Sequence, residues 1–138
     1  MASSLPLLLR LRTGAREESQ ALLRRAEDER DAQAARLAAL RQATKEAREN
    51  VDPTDPFALS TYHAFRQRQE VSERRDVAKL LQREREVEQK RGIHVGRVRD
   101  ELAMKNVIEA HEAAAAHDAA QRDGRRMDEI ASRRRRDD

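Results

Sequence analysis

Apolar side chains recur at steps of three and four along two long stretches of this chain, and one short proline-containing segment separates the two. The first stripe holds Ala15, Leu22, Ala26, Leu37, Leu40, Ala47 and Val51. That spacing predicts a helix over about 7–50. The eleven-residue interval from Ala26 to Leu37, with Gln33 inside it, predicts a stutter that slips the heptad there. The second stripe holds Leu59, Tyr62, Phe65, Val77, Leu80, Leu81, Val87, Val95, Val98, Leu102 and Ile108, interrupted by Glu84, Arg91 and Lys105. It predicts a second helix over about 56–134. Both stripes are narrow, which suits a two-stranded coiled coil better than a four-helix bundle.

Between them lies "NVDPTDPF" (50–57). Pro53 and Pro56 push the residues before them out of helical geometry. Asp55 can then cap a new helix that has Pro56 in its first position, where a missing N–H costs nothing. The turn at 51–55 is short, so the helices must fold back on each other. The expected fold is all-α, an antiparallel two-helix coiled-coil hairpin with a longer, overhanging C-terminal helix. It is expected to make a single coiled-coil domain over 1–138.

Length gives the overhang its importance. A first helix of about 44 residues measures ~65 Å and covers the second only to about residue 100. The remainder extends roughly 55 Å further. Charge changes at the same place: residues 66–99 hold eleven basic and six acidic side chains, residues 100–123 two basic and six acidic. The overhang includes "EAHEAAAAHDAAQ" (109–121), which forms helix readily but offers little to pack. Such a lone helix should fray until something surrounds it.

Composition agrees with the pattern. Charged residues make up 40% and aromatics 2% of the 138 residues, with no Trp and no Cys, so a compact aromatic core is excluded. The 29 basic and 26 acidic side chains nearly cancel, which favours charge-laced helix over disorder. Without cysteine there are no disulfides or thiolate metal sites, as in a reducing compartment. The apolar run Leu5 to Leu9 is shorter than the ~7–15 residues of a signal-peptide core. No stretch approaches the ~18 apolar residues of a membrane span, so a soluble cytoplasmic protein is expected.

Candidate chemistry is sparse. "HEAAAAH" (111–117) invites comparison with the zinc-binding H-E-x-x-H, but His111 and His117 diverge by about 240° around a helix. His63 and His94 have no nucleophile beside them, and the glycines form no phosphate loop. Acidic side chains mostly find an arginine at helical spacing, as Glu70 and Arg74 do. No active site, metal or cofactor is expected, and the protein is read as a non-enzyme. The arginine run 133–136 could meet phosphates, but Asp128, Glu129, Asp137 and Asp138 dilute it and no aromatic is interleaved. Nucleic acid is therefore not an expected partner. Gly92 and Gly96 inside the second helix read as a weak spot or kink, or else as a hinge or a place of close approach.

Two clusters stand out. Phe57, Tyr62 and Phe65 are the only aromatics and fall together at the turn. They can plug the turn with Val51 and Leu59, offer a contact patch, or do both. At the other cluster, "RRMDEIASR" (125–133) carries Met127 and Ile130 in an otherwise charged tail.

With these pieces the chain resembles the flagellar type III export stalk proteins, the FliJ family, and their counterparts in virulence secretion. The resemblance rests on the unequal two-helix plan and the opening "LLLRLR" (7–12). It rests also on the Tyr-x-x-Phe of "TYHAF" (61–65) and on "RRMDEIASR", which is similar to the family's usual ending. Gly92, Gly96 and the Pro-rich loop depart from the family pattern. The resemblance implies a non-enzymatic central stalk whose terminal end enters a hexameric export ATPase and which links that ring to a membrane-embedded export gate. It implies promotion of ATPase assembly, a chaperone-like role in export with export chaperones among the partners, and peripheral association with the inner membrane through those partners. Met127, Asp128 and Ile130, with Arg125 and Arg126, become the expected ring contacts; Phe57, Tyr62 and Phe65 become the expected gate contacts. The rival readings are a generic coiled-coil scaffold that dimerises through a free stripe, and a basic helical nucleic-acid binder.

Overall fold

A computed structural model describes residues 4–138 of the chain as two helices, α1 (Leu5–Asn50) and α2 (Pro56–Asp137). The fold is an all-α helical hairpin. Pro6 sits in the first turn of α1, where its missing N–H breaks no helical bond.

The turn is built by two aspartates. Asp52 Oδ1 accepts from the Thr54 backbone N–H at 2.9 Å and from the Thr54 hydroxyl at 2.7 Å. Those two bonds hold the Asp52 carboxyl below its ordinary pKa, the hydroxyl contributing most. Asp55 Oδ1 accepts from the Phe57 N–H at 3.0 Å, and its carbonyl starts the helical ladder to Leu59 at 3.0 Å. With Pro56 in the first position, this is the predicted cap.

Two compact units divide the chain: residues 17–96, and residues 4–16 with 97–138. In the first, α1 and α2 pack antiparallel. Ser19 meets His94, Arg83 meets Glu29, Gln33 meets Asp76 and Arg41 meets Glu73, pairs separated by 75, 54, 43 and 32 residues, the separation falling toward the turn.

The α1 seam of this unit is Ser19, Leu23, Ala26, Arg30, Gln33, Leu37, Leu40, Thr44, Ala47 and Val51, all buried or half-buried. Its steps alternate four and three without a break, so the expected stutter is absent. Arg30 and Gln33 fill the interval between Ala26 and Leu37, and polar residues carry the phase where no apolar side chain marks it. Leu23 takes the seam position, and Leu22 is 41% exposed.

The second stripe also needs correction. Leu81, Val95, Val98 and Leu102 are 50%, 43%, 41% and 57% exposed. Leu59, Tyr62, Phe65, Val77, Leu80, Val87 and Ile108 are buried or half-buried as expected; with them the seam takes Arg83, Lys90 and His94 in the first unit and Glu101 and Met104 in the second. An offset of one residue turns a helix face by about 100°. Over 95–102 apolar periodicity alone chose the neighbouring face, because the seam residues beside it, His94 and Glu101, are polar.

Several of the seam's polar members are bonded. Ser19 Oγ lies 2.9 Å from His94 Nδ1, and Gln33 Nε2 donates to the Asp76 carbonyl at 3.3 Å. Among the described residues the buried apolar side chains are only Ala26, Leu37 and Val87, and no buried side-chain nitrogen or oxygen lacks a partner. A satisfied polar seam fixes register while contributing less stability than leucines would.

In the other unit, residues 4–16 pack antiparallel on α2. Arg12 lies 3.7 Å from Asp100, and Arg16 Nε donates to Glu101 at 2.6 Å. Lys105 approaches Glu101 from one turn on at 3.0 Å. Those two cations, Arg16 foremost, hold the buried Glu101 carboxyl below its ordinary pKa. Ile108 is the last half-buried residue of α2, and every residue from 109 to 138 is exposed. The unpartnered stretch therefore begins at 109 rather than near 100. Arg41, nine residues before the end of α1, meets Glu73, seventeen residues after the start of α2, so the first turns of α2 belong to the turn end and the pairing is shifted along α2.

α2 stays helical through Gly92 and Gly96 with no break. A Cβ added to either would meet nothing within 4 Å, so no part of the chain makes a close approach there. Among the described residues, no helix is long and apolar enough to cross a membrane.

Candidate partner-binding surfaces

The turn end of residues 17–96 carries an aromatic groove. Phe57 projects from the first turn of α2 and is 80% exposed. Tyr62 and Phe65 are half-buried, since each lies near the seam and reaches toward the last turn of α1. The three rings line one open cavity of about 480 Å³ with Ala47, Val51, Ala58 and Arg68. The structure thus brings the three predicted residues together and gives them different parts. Tyr62 and Phe65 brace the turn; Phe57 is offered to solvent. Tyr62 also lies against the His63 ring at 5.8 Å between centroids, tilted by 51°.

Asn50, Thr61 and Arg68 belong to the same groove and were not singled out from sequence. Helical spacing from Phe57 and Phe65 was the available signal: Thr61 follows Phe57 by four residues, and Arg68 follows Phe65 by three. Arg68 is the single charged side chain in the groove's lining.

The second candidate surface is the unpartnered part of α2. Over 109–137 it is continuous helix, about 43 Å long. Met127 and Ile130 are 68% and 49% exposed. The five predicted residues divide between two faces. Arg125 and Asp128 line one shallow cleft with Glu129, Ser132, Arg133 and Arg136. Met127 and Ile130 turn away from it, and Arg126, within about 20° of Arg133 around the helix, borders it without lining it.

Nothing in either surface resembles a reaction centre. Among the described residues, no three His, Cys, Asp or Glu side chains gather as a metal site. His117 meets Gln121 one turn away at 3.1 Å. Glu70 pairs backward with Arg66 at 3.5 Å, where the sequence suggested Arg74.

The comparison with protein families decides the identification. Residues 1–137 match the model of the family described as Flagellar FliJ protein. The chain belongs to the FliJ family. No curated protein and no solved structure matches it. Membership in the FliJ family implies a role in flagellar biogenesis and export, in association with the flagellar export apparatus.

Proposed function

We propose that this FliJ-family protein is the non-enzymatic stalk of a type III export apparatus, with α2 beyond Ile108 entering the lumen of a hexameric export ATPase. The observation that carries the reading is that 109–137 is helical and exposed along its whole length, with Met127 and Ile130 uncovered near its end. An Ala-rich helix with nothing packed on it has little stability of its own. A ring that surrounds it supplies the missing contacts. Ala113 to Ala116 keep the rod thin, Met127 and Ile130 grip the wall, and Arg125, Arg126 and Asp128 pair with charges in the lumen.

The aromatic groove is the surface for the membrane-embedded export gate. Phe57 is the leading contact, because its ring is already exposed and costs little to redirect. Tyr62 and Phe65 shape the groove beneath it. In this role the protein promotes assembly of the ATPase ring, assists export in a chaperone-like way alongside export chaperones, and reaches the inner membrane through the gate. Ring insertion is tested by removing residues 122–138 and measuring stimulation of the export ATPase. Stimulation should be lost while the helical circular dichroism of the rest persists; undiminished stimulation contradicts insertion. For the gate, Phe57→Ala should weaken binding about tenfold or more with helicity intact, and unchanged binding contradicts that assignment.

A further inference from the structure

We propose that the first turns of α1, backed by residues 97–108 of α2, form a docking surface for a membrane carrying anionic lipid headgroups. Leu5 and Leu9 are half-buried on the α2 side, whereas Leu7 and Leu11 are 58% and 62% exposed and Leu8 is 40% exposed. Positions two residues to either side of Leu9 lie about 200° around the helix from it. Leu7 and Leu11 therefore form an outward ridge, not part of the seam.

Charge identifies what this ridge meets. Residues 4–16 contain Arg10, Arg12 and Arg16 and no acidic side chain; residues 97–108 add Arg97, Arg99 and Lys105 against Asp100 and Glu101. Both carboxylates are already engaged within the chain, Asp100 by Arg12 and Glu101 by Arg16 and Lys105. Around α1, Arg10 and Arg12 bracket the exposed leucines, and Arg97 and Arg99 are exposed in the same unit. Leucines on one side of a helix with arginines flanking them are the composition of an interfacial helix. There the apolar side chains enter the acyl boundary and the guanidinium groups stay among the headgroups.

A second copy of the chain would set one positive surface against another. A lipid surface needs no matching shape and so accepts a convex ridge. The aromatic groove has equally exposed apolar surface but a single charged lining residue, Arg68, so the larger excess of cations directs the leucine ridge, and not Phe57, to an anionic membrane. Such contact would be direct and would serve the chain outside the assembled apparatus, in which the turn end, and not this ridge, is given to the gate.

The test uses the full chain with vesicles of phosphatidylcholine alone and vesicles also containing phosphatidylglycerol. Sedimentation with the anionic vesicles only, released by added salt, is expected. Replacing Leu7 and Leu11 together by Ser should weaken it about tenfold or more, as should Arg10→Glu with Arg99→Glu. All four side chains are exposed, so far-ultraviolet circular dichroism should be unchanged. Equal behaviour with both vesicles overturns the proposal. So does anionic-vesicle binding indifferent to the leucines, or absence of vesicle binding; either points to an acidic protein surface as the partner instead.

Discussion

α2 is one continuous helix that lives in two environments. Up to Ile108 it is held against α1 by a seam in which Val87 is almost fully buried and polar side chains are bonded in place. Beyond Ile108 every residue is exposed, with none of the described residues of α1 packed on it, and Met127 and Ile130 face water. The same helix-forming composition serves both parts. The difference shows that helix propensity sets where this chain is helical, whereas packing partners set where it is stable. A region that is helical yet unsupported is suited to being completed by another molecule.

Substitutions should separate the two environments sharply. Leu37→Ala, in the seam, should cost about 3 kcal/mol in urea unfolding followed by circular dichroism, since Leu37 is 4% exposed. Val87→Ala should cost about 2 kcal/mol. If either changed stability by less than ~0.5 kcal/mol, the seam described for residues 17–96 would be wrong. Gly92→Ala should act in the other direction, stabilising by up to about 1 kcal/mol, because a Cβ there meets only open space. A loss of stability would mean that the helix needs glycine at that point.

Glu101 gives a smaller effect with a defined sign. Its carboxyl is held below the ordinary value of 4.5 by Arg16 and Lys105. The unfolded chain therefore binds the proton more readily. The contribution of Glu101 is complete above about pH 4.5, and it is lost as pH falls through the lowered folded-state pKa. Glu101→Gln should flatten stability against pH in that acidic window and leave other carboxylates to set the remaining slope. Smallest of all, Met127→Ala with Ile130→Ala should leave unfolding of the free protein within ~0.5 kcal/mol of the parent, while ATPase stimulation falls. A large loss of stability would show that these side chains are already packed in the free chain.

Much of this contrast was legible in the sequence. Asp55 and Pro56 announced the start of α2 because capping is local chemistry, and the prolines confined the turn. The unequal helices followed from counting residues across that turn. The seam was harder. Gln33 was already placed in it, but Ser19, Arg83, Lys90, His94 and Glu101 occupy it too, and a search for apolar periodicity passes over each of these. Val95, Val98 and Leu102 gave a cleaner pattern on a face that α1 does not cover. The groove at the turn was visible only as three nearby aromatics. That Phe57 stands out while Tyr62 and Phe65 brace the turn depends on how α1 ends, which spacing within α2 does not encode.

Hydrogen exchange resolved along α2, with and without the hexameric export ATPase, tests the central claim most directly. Alone, amides 109–137 should exchange far faster than those around Val87. On adding the ring, protection should appear across 109–137 and leave the seam unchanged. Strong protection of that stretch in the isolated protein, or none gained with the ring present, would contradict the account.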